Sequence, residues 1–178
     1  MNRDSYTYGV FMDPELPFGA ALWLALFPAT FILHFAEEYW ADGGYIEYLY
    51  RLRGVRVSQG KFLGTQAFGF LWFSSPLLWW WVDRFPFVLV LLIGGFMLCN
   101  GITHTATAVW DRHYGPGLLA SILLWIPLGA ATIVLLYGYL PTWEWILVPL
   151  IGMAMNGGLG FATMMSEKIF SRGTAESQ

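Results

Sequence analysis

Charge is scarce in this chain. Asp, Glu, Lys and Arg make up 12% of its 178 residues, against about 25% in an ordinary soluble domain. A soluble fold of this size needs more polar surface than that, so the scarcity points to a membrane. The net charge is −3, which offers no basic patch and argues against a nucleic-acid partner. Cysteine is nearly absent. Cys99 is the only one, so an intramolecular disulfide is excluded and no redox compartment follows. Histidine is confined to His34, His104 and His113, too few for the histidine-rich di-iron sites of membrane desaturases. Residues 1–18 lack the basic start and short apolar core of a cleaved signal, so the first long apolar run is expected to remain as a helix.

What the chain has in abundance is apolar surface: 57% hydrophobic and 19% aromatic residues. Five runs reach the ~20 residues needed to cross a bilayer. They lie near Gly19–Trp40, Phe62–Val82, Pro86–Trp110, Gly117–Leu140 and Trp143–Met165. None alternates as a strand does, and backbone in lipid must satisfy itself, so each is predicted helical. The expected fold is an all-α polytopic bundle of five transmembrane helices. Residues 19–166 form a single membrane domain, after an N-terminal segment 1–18 and before a tail 167–178. Pro28, Pro76, Pro127 and Pro149 fall inside four of the runs and should bend them.

Basic residues set the expected orientation. Arg51, Arg53, Arg56, Lys61, Arg112, Lys168 and Arg172 flank one side, and only Arg3 and Arg84 the other. The N-terminus is therefore expected outside and the C-terminus in the cytoplasm. Trp79, Trp80, Trp81, Trp143 and Trp145 would form the outer aromatic belt, with Trp40 and Trp110 at the inner interface. The cytoplasmic loop 41–61 carries Tyr45, Tyr48, Tyr50 and three arginines. It reads as a positive flank that binds anionic headgroups, or as a lid over a lipid site.

The ionisable groups of the first run are His34, Glu37 and Glu38. At i, i+3 and i+4 they share one side of a helix. Inside a bilayer such groups must be paired, protonated, hydrated or bound to a cation. Asn100 and His104 repeat the i, i+4 spacing on the third run. At 1.5 Å per residue, these residues fall at one depth, in the cytoplasmic half, with Asn156, Gln66 and Ser121. Asn156 is followed by Gly157, Gly158 and Gly160, small residues that let another backbone approach or serve a homo-oligomer.

His34-Phe-Ala-Glu37-Glu38 resembles the HxxEE motif of the HxxEE-domain family of bacterial integral membrane proteins. Asn100-Gly-Ile-Thr-His104 and Tyr114-Gly-Pro-Gly117 are similar to that family's NxxxH and YxPG motifs, in the same order. The resemblance implies a bacterial cell-membrane location and a joint role for His34, Glu37, Glu38, Asn100 and His104. It supplies no reaction. Taken alone, Tyr114–Gly117 reads as a turn into the fourth helix.

Three functions remain open. Two imidazoles and a carboxylate suit zinc or iron with one position free, giving a hydrolase for a lipid-like substrate. In that reading His34, Glu37 and His104 hold the metal and Glu37 and Glu38 carry the chemistry. Asn100, Asn156, Gln66 and Tyr114 support the site or the substrate. The second function is metal-free acid/base isomerisation or cyclisation of an isoprenoid-like lipid, in an arrangement similar to the emopamil-binding sterol isomerases. The third is proton or metal-ion transport, or a non-catalytic scaffold. The outer half offers few polar groups, which disfavours a path to both faces.

Overall fold

The computed structural model describes residues 19–82 and 85–175, with side chains through 158. The described residues form helices and no strand. We number them α1 (Ala20–Trp40), α2 (Tyr45–Arg53), α3 (Gln59–Val82), α4 (Phe87–Asp111), α5 (Leu118–Leu135) and α6 (Thr142–Ala175). Among the described residues, α1 with its following turn, α4 and α5 are long and apolar enough to cross a membrane. Helix α3 has the length, 24 residues, but Gln66, Ser74, Ser75 and four tryptophans dilute its apolar character. The N-terminal segment 1–18 and Arg84 lie outside the described residues, as do the surroundings of Gly160 and the side chains of Lys168 and Arg172.

Helix α4 is the central element and packs against both α5 and α6, while α1 packs against α3. Lipid tails are as apolar as leucine, so helices in a bilayer associate through close packing rather than through exclusion of water. Glycine makes that packing possible here. A Cβ on Gly95 would run into the Pro149 backbone, and one on Gly152 into the Leu92 carbonyl. Gly129 lies against the Gly94 carbonyl in the same way. The close crossings thus use Gly94, Gly95, Gly129 and Gly152. Gly157 and Gly158, the positions expected from the sequence, face open space. Phe27, Phe73, Trp125, Leu91, Ile93 and Met97 fill the interior between the helices.

Two local features differ from the sequence reading. The stretch 41–61 is not an irregular loop. It contains α2, bracketed by Gly44 at φ 87° and Gly54 at φ 66°. Gly54 and Val55 close the helix by donating their N–H groups to Tyr50 and Leu49, the paired bonds of a left-handed glycine cap. The second feature is in α5. Residues Ser121–Trp125 form a π-turn, and the Ile126 N–H reaches back to the Ser121 carbonyl. Pro127 follows directly. The wider turn absorbs the proline that was expected only to bend the helix. Helix α5 stops at Leu135 rather than near Leu140, where a turn with Gly138 at φ 89° takes over. Trp40, Trp79, Trp81, Trp110 and Trp143 are exposed, whereas Trp80 is half-buried against the core. Trp145 instead turns inward and donates to the Ile133 carbonyl at 2.7 Å.

Candidate functional site

The C-terminal ends of α1 and α4 meet the N-terminal ends of α3 and α5. The site sits at this junction. On α1, residues 34 and 38 point within about 40° of each other, whereas 37 and 38 diverge by about 100°. That divergence sends the two adjacent glutamates to different partners.

Glu38 turns inward with His34 and is 6% exposed; His34 is 3% exposed. Its Oε1 lies 3.5 Å from His34 Nε2 and 3.5 Å from His104 Nε2. One ligand atom from each of the three residues falls within 4.8 Å of the others. Glu38 Oε2 accepts a hydrogen bond from Gln66 Nε2 of α3 at 2.7 Å. The two imidazoles meet edge to face, with centroids 5.0 Å apart. Trp125 stacks on His34 at 4.0 Å and gives its Nε1–H to the Thr30 carbonyl. The Pro116 carbonyl lies close to the His104 ring.

Glu37 turns toward α5. Its Oε1 accepts from the Tyr114 hydroxyl and, at 2.8 Å, from the Leu119 N–H. Its Oε2 accepts from the Ala120 N–H at 2.7 Å. A carboxylate against the first N–H groups of a helix satisfies donors that have no partner within that helix and complements its dipole. Burial, and then the Glu37 carboxylate, push the Tyr114 phenol up, so it remains a neutral donor. Both glutamates are therefore engaged, but only Glu38 faces the two imidazoles.

The Tyr114–Gly117 turn does more than reverse the chain. Gly117 has φ 89°, and a Cβ there would stand 2.8 Å from His34 Cε1, 2.9 Å from His104 Cε1 and 3.2 Å from Glu38 Cγ. The turn closes the site through its backbone, through the Pro116 carbonyl and through Tyr114. Asn100 lies one turn before His104 on α4, and its Oδ1 is buried without a partner. Asn156 is half-buried on α6, which packs on α4, and it makes no hydrogen bond to the trio. His113 does not join the trio either. It sits 3.1 Å from Asp42, at the surface.

Helix α2 lies over the junction. Tyr45 stands 6.2 Å from the His104 ring and 6.2 Å from Phe62. Burial, and then the Glu38 carboxylate, push its phenol up. Arg51 pairs with Asp42 and Arg53 with Asp111, each at 2.7 Å. The Tyr48 hydroxyl also reaches Asp111, at 3.3 Å. Arg56 lies over the Tyr50 ring at 4.5 Å. The three arginines thus have partners within the protein, and Arg51 and Arg53 fasten α2 to the ends of α1 and α4. Tyr45, Gly117, Pro116 and Trp125 were missed as site residues in the sequence. The YxPG resemblance at Tyr114–Gly117 and the lid reading of the stretch that holds Tyr45 were the available signals; the residues themselves read as a turn and a loop.

The family described as "Protein of unknown function with HXXEE motif" matches residues 25–132. No curated protein and no solved structure matches the chain. The matched segment runs from α1 to α5 and contains His34, Glu37, Glu38, Gln66, His104 and Gly117. The chain belongs to the family of proteins of unknown function with the HXXEE motif.

Proposed function

We propose that this chain is a multi-pass bacterial membrane protein that holds a divalent cation, zinc or ferrous iron, between His34, Glu38 and His104. Its activity in this reading is hydrolysis, or related chemistry, on a lipid-like substrate. Five crossings, an outside N-terminus and a cytoplasmic C-terminus complete the proposal. The asymmetry of basic flanks supports them.

One observation carries the cation. The Nε2 atoms of buried His34 and half-buried His104 converge on one carboxylate oxygen, each at 3.5 Å. A charge-assisted hydrogen bond between such groups would be about 2.7–2.9 Å. Two ligands of a tetrahedral ion with bonds near 2.0–2.1 Å stand about 3.3 Å apart. The spacing suits a shared ion better than shared protons. Where each imidazole keeps its proton on Nδ1, both Nε2 atoms present lone pairs to the Glu38 carboxylate, and a cation between these acceptors removes the conflict.

The ligand set proposed here takes Glu38 in the place that the sequence reading assigned to Glu37. Glu37 serves instead as the anchor that holds the start of α5, and with it Gly117, against the imidazoles. A bound cation would supply Lewis acidity toward a water or a substrate oxygen. Gln66 holds Glu38 in orientation. Tyr45, kept protonated, offers a hydroxyl on the α2 side. Helix α2 and Trp125 shield the centre from bulk water.

Elemental analysis of the purified full-length protein, with zinc and iron titrations, tests the reading. Near-stoichiometric metal that is lost in His34→Ala, Glu38→Gln and His104→Ala is expected. Protein that neither retains nor binds either metal overturns it.

A further inference from the structure

The trio is closed to its surroundings. Side-chain exposure is 3% for His34, 7% for Glu38 and 12% for His104. A bound ion needs an entry path, so some element must move before one can reach or leave the imidazoles. The long helices that meet there are fixed by close packing, α1 against α3 and α5, and α4 against α5. Helix α2 is held differently. Among the described elements, its backbone packs closely only on the turn 41–43 that leads into it. Side chains do the rest. Tyr48 lies against Gly115, in the turn that closes the trio, and Tyr45 stands beside the His104 ring. The last turn of α2 is tied by two partly exposed arginines, Arg51 to Asp42 after α1 and Arg53 to Asp111 at the end of α4.

Both ends of α2 are glycine. Gly44 has φ 87° and ψ 161°, a combination essentially reserved for that residue. It is seated on the last turn of α1: a Cβ would lie 2.8 Å from the Tyr39 carbonyl oxygen and 3.5 Å from that of Glu38. Gly54 has φ 66°, and a Cβ there would meet nothing within 4 Å. The start of α2 thus bears on the helix that carries Glu38, while its end has open space around it.

We propose that α2 is a latched lid: it pivots at Gly44 and Gly54, the Arg51–Asp42 and Arg53–Asp111 pairs hold it shut, and a divalent cation reaches the trio only while it is open. The inference rests on the proposed function for the ion that passes, and on α2 alone for the lid. Partly exposed ion pairs hold weakly, and an element with few close contacts opens locally far more often than the bundle unfolds. Lids of this kind turn on a few residues at element ends. The kinetic signature is specific. A lid multiplies entry and exit by the same open fraction, so weakening the latch speeds both. Affinity stays unchanged while the closed form dominates.

Stopped-flow zinc binding and release, read with an aqueous chelating dye on the full-length protein in nanodiscs, tests the proposal. In the double variant Arg51→Gln, Arg53→Gln both rates should rise roughly fivefold or more, with Kd changed less than about twofold. Arg56→Gln, which removes a nearby charge and touches neither latch, should change neither rate. Unaltered rates in the double variant overturn the lid, as does a Kd that moves while the entry rate stands. Amide exchange is recorded on the same samples; if protection in α4 falls along with that in α2, the bundle has loosened and the lid is overturned. If no form binds zinc, the cation reading fails alone. The lid is then read in metal-free protein, from diethyl pyrocarbonate modification of His34 and His104 against free N-acetylhistidine. Faster modification in the double variant supports the lid, and equal modification overturns it.

Discussion

Gly117 stands against His34 with no room for a methyl group: a Cβ would lie 2.8 Å from the imidazole Cε1. The same atom would meet His104 at 2.9 Å. The backbone adds its own demand, since φ is 89° there. Gly117→Ala should therefore destabilise the protein by about 1–3 kcal/mol and push the imidazoles apart. Thermal unfolding in detergent reads the first effect, and a zinc titration the second. An alanine variant with unchanged melting and unchanged metal affinity would contradict the geometry.

The two adjacent glutamates should separate cleanly. Glu38→Gln keeps the shape but removes the charge that faces both Nε2 atoms, so metal affinity should fall at least 100-fold. Glu37→Gln places an amide N–H₂ against N–H groups of Leu119 and Ala120. It should cost about 1–3 kcal/mol of stability while changing metal affinity less than tenfold. Paired measurements of melting temperature and metal Kd distinguish them. Reversal of the two patterns would return Glu37 to the ligand set.

Gln66 reaches Glu38 from a different helix, at 2.7 Å. Gln66→Leu leaves that carboxylate oxygen without its donor. Partners of metal ligands typically contribute 10–100-fold in affinity, and a loss in that range is expected. Calorimetric titration of zinc checks it. Affinity unchanged within twofold would mean the hydrogen bond does not orient Glu38.

Tyr114→Phe removes a hydroxyl from a charged acceptor, which should cost about 1.5–3 kcal/mol. The pH dependence has a definite sign. The phenol is pushed up by burial and by Glu37, so its contribution is complete below the ordinary phenol value of about 10. It is lost only as pH rises from there toward the raised folded value. The difference between wild type and variant should stay constant from pH 6 to 9 in denaturant or thermal unfolding. A difference that shrinks across that interval would show that the bond is not formed as described.

Helix α2 should be the first part to detach. Arg53 is 39% exposed at its ion pair with Asp111, and exposed pairs contribute only about 0.2–1 kcal/mol. Arg53→Ala should speed amide exchange over residues 45–53 severalfold, and molar salt should do the same to the wild type. Exchange in α4 should be unaffected. Equal protection of α2 and α4 under both treatments would mean that α2 is held by its apolar face alone.

The helical character of this chain was legible because composition and run length constrain backbone in lipid so strongly. The capacity to cross was less legible in α3, where length sufficed but tryptophan, serine and glutamine reduced its apolar character. Helix α2 was missed for a different reason. Its nine residues place Tyr45, Tyr48, Leu49 and Leu52 at i, i+3, i+4 and i+7. They lie, however, in a charged stretch between two membrane runs, and such a stretch reads only as a loop. Glycine brackets and ion pairs to Asp42 and Asp111 hold the helix. The close crossings were misplaced because any glycine permits approach. Which ones are used depends on where the neighbouring helix passes.

The sequence by itself determined the inventory of the site: an imidazole and two carboxylates on α1, and an imidazole with an amide one turn apart on α4. Spacing along a helix decides which residues share a side, and that is local. Only the tertiary structure decided how the labour is divided. Glu37 and Glu38 are neighbours in the chain, yet about 100° of rotation separates them, and the helix each one meets is set by packing far from either. The start of α5 claims Glu37, and the histidines claim Glu38, because Gly117 lets that helix begin directly against their rings.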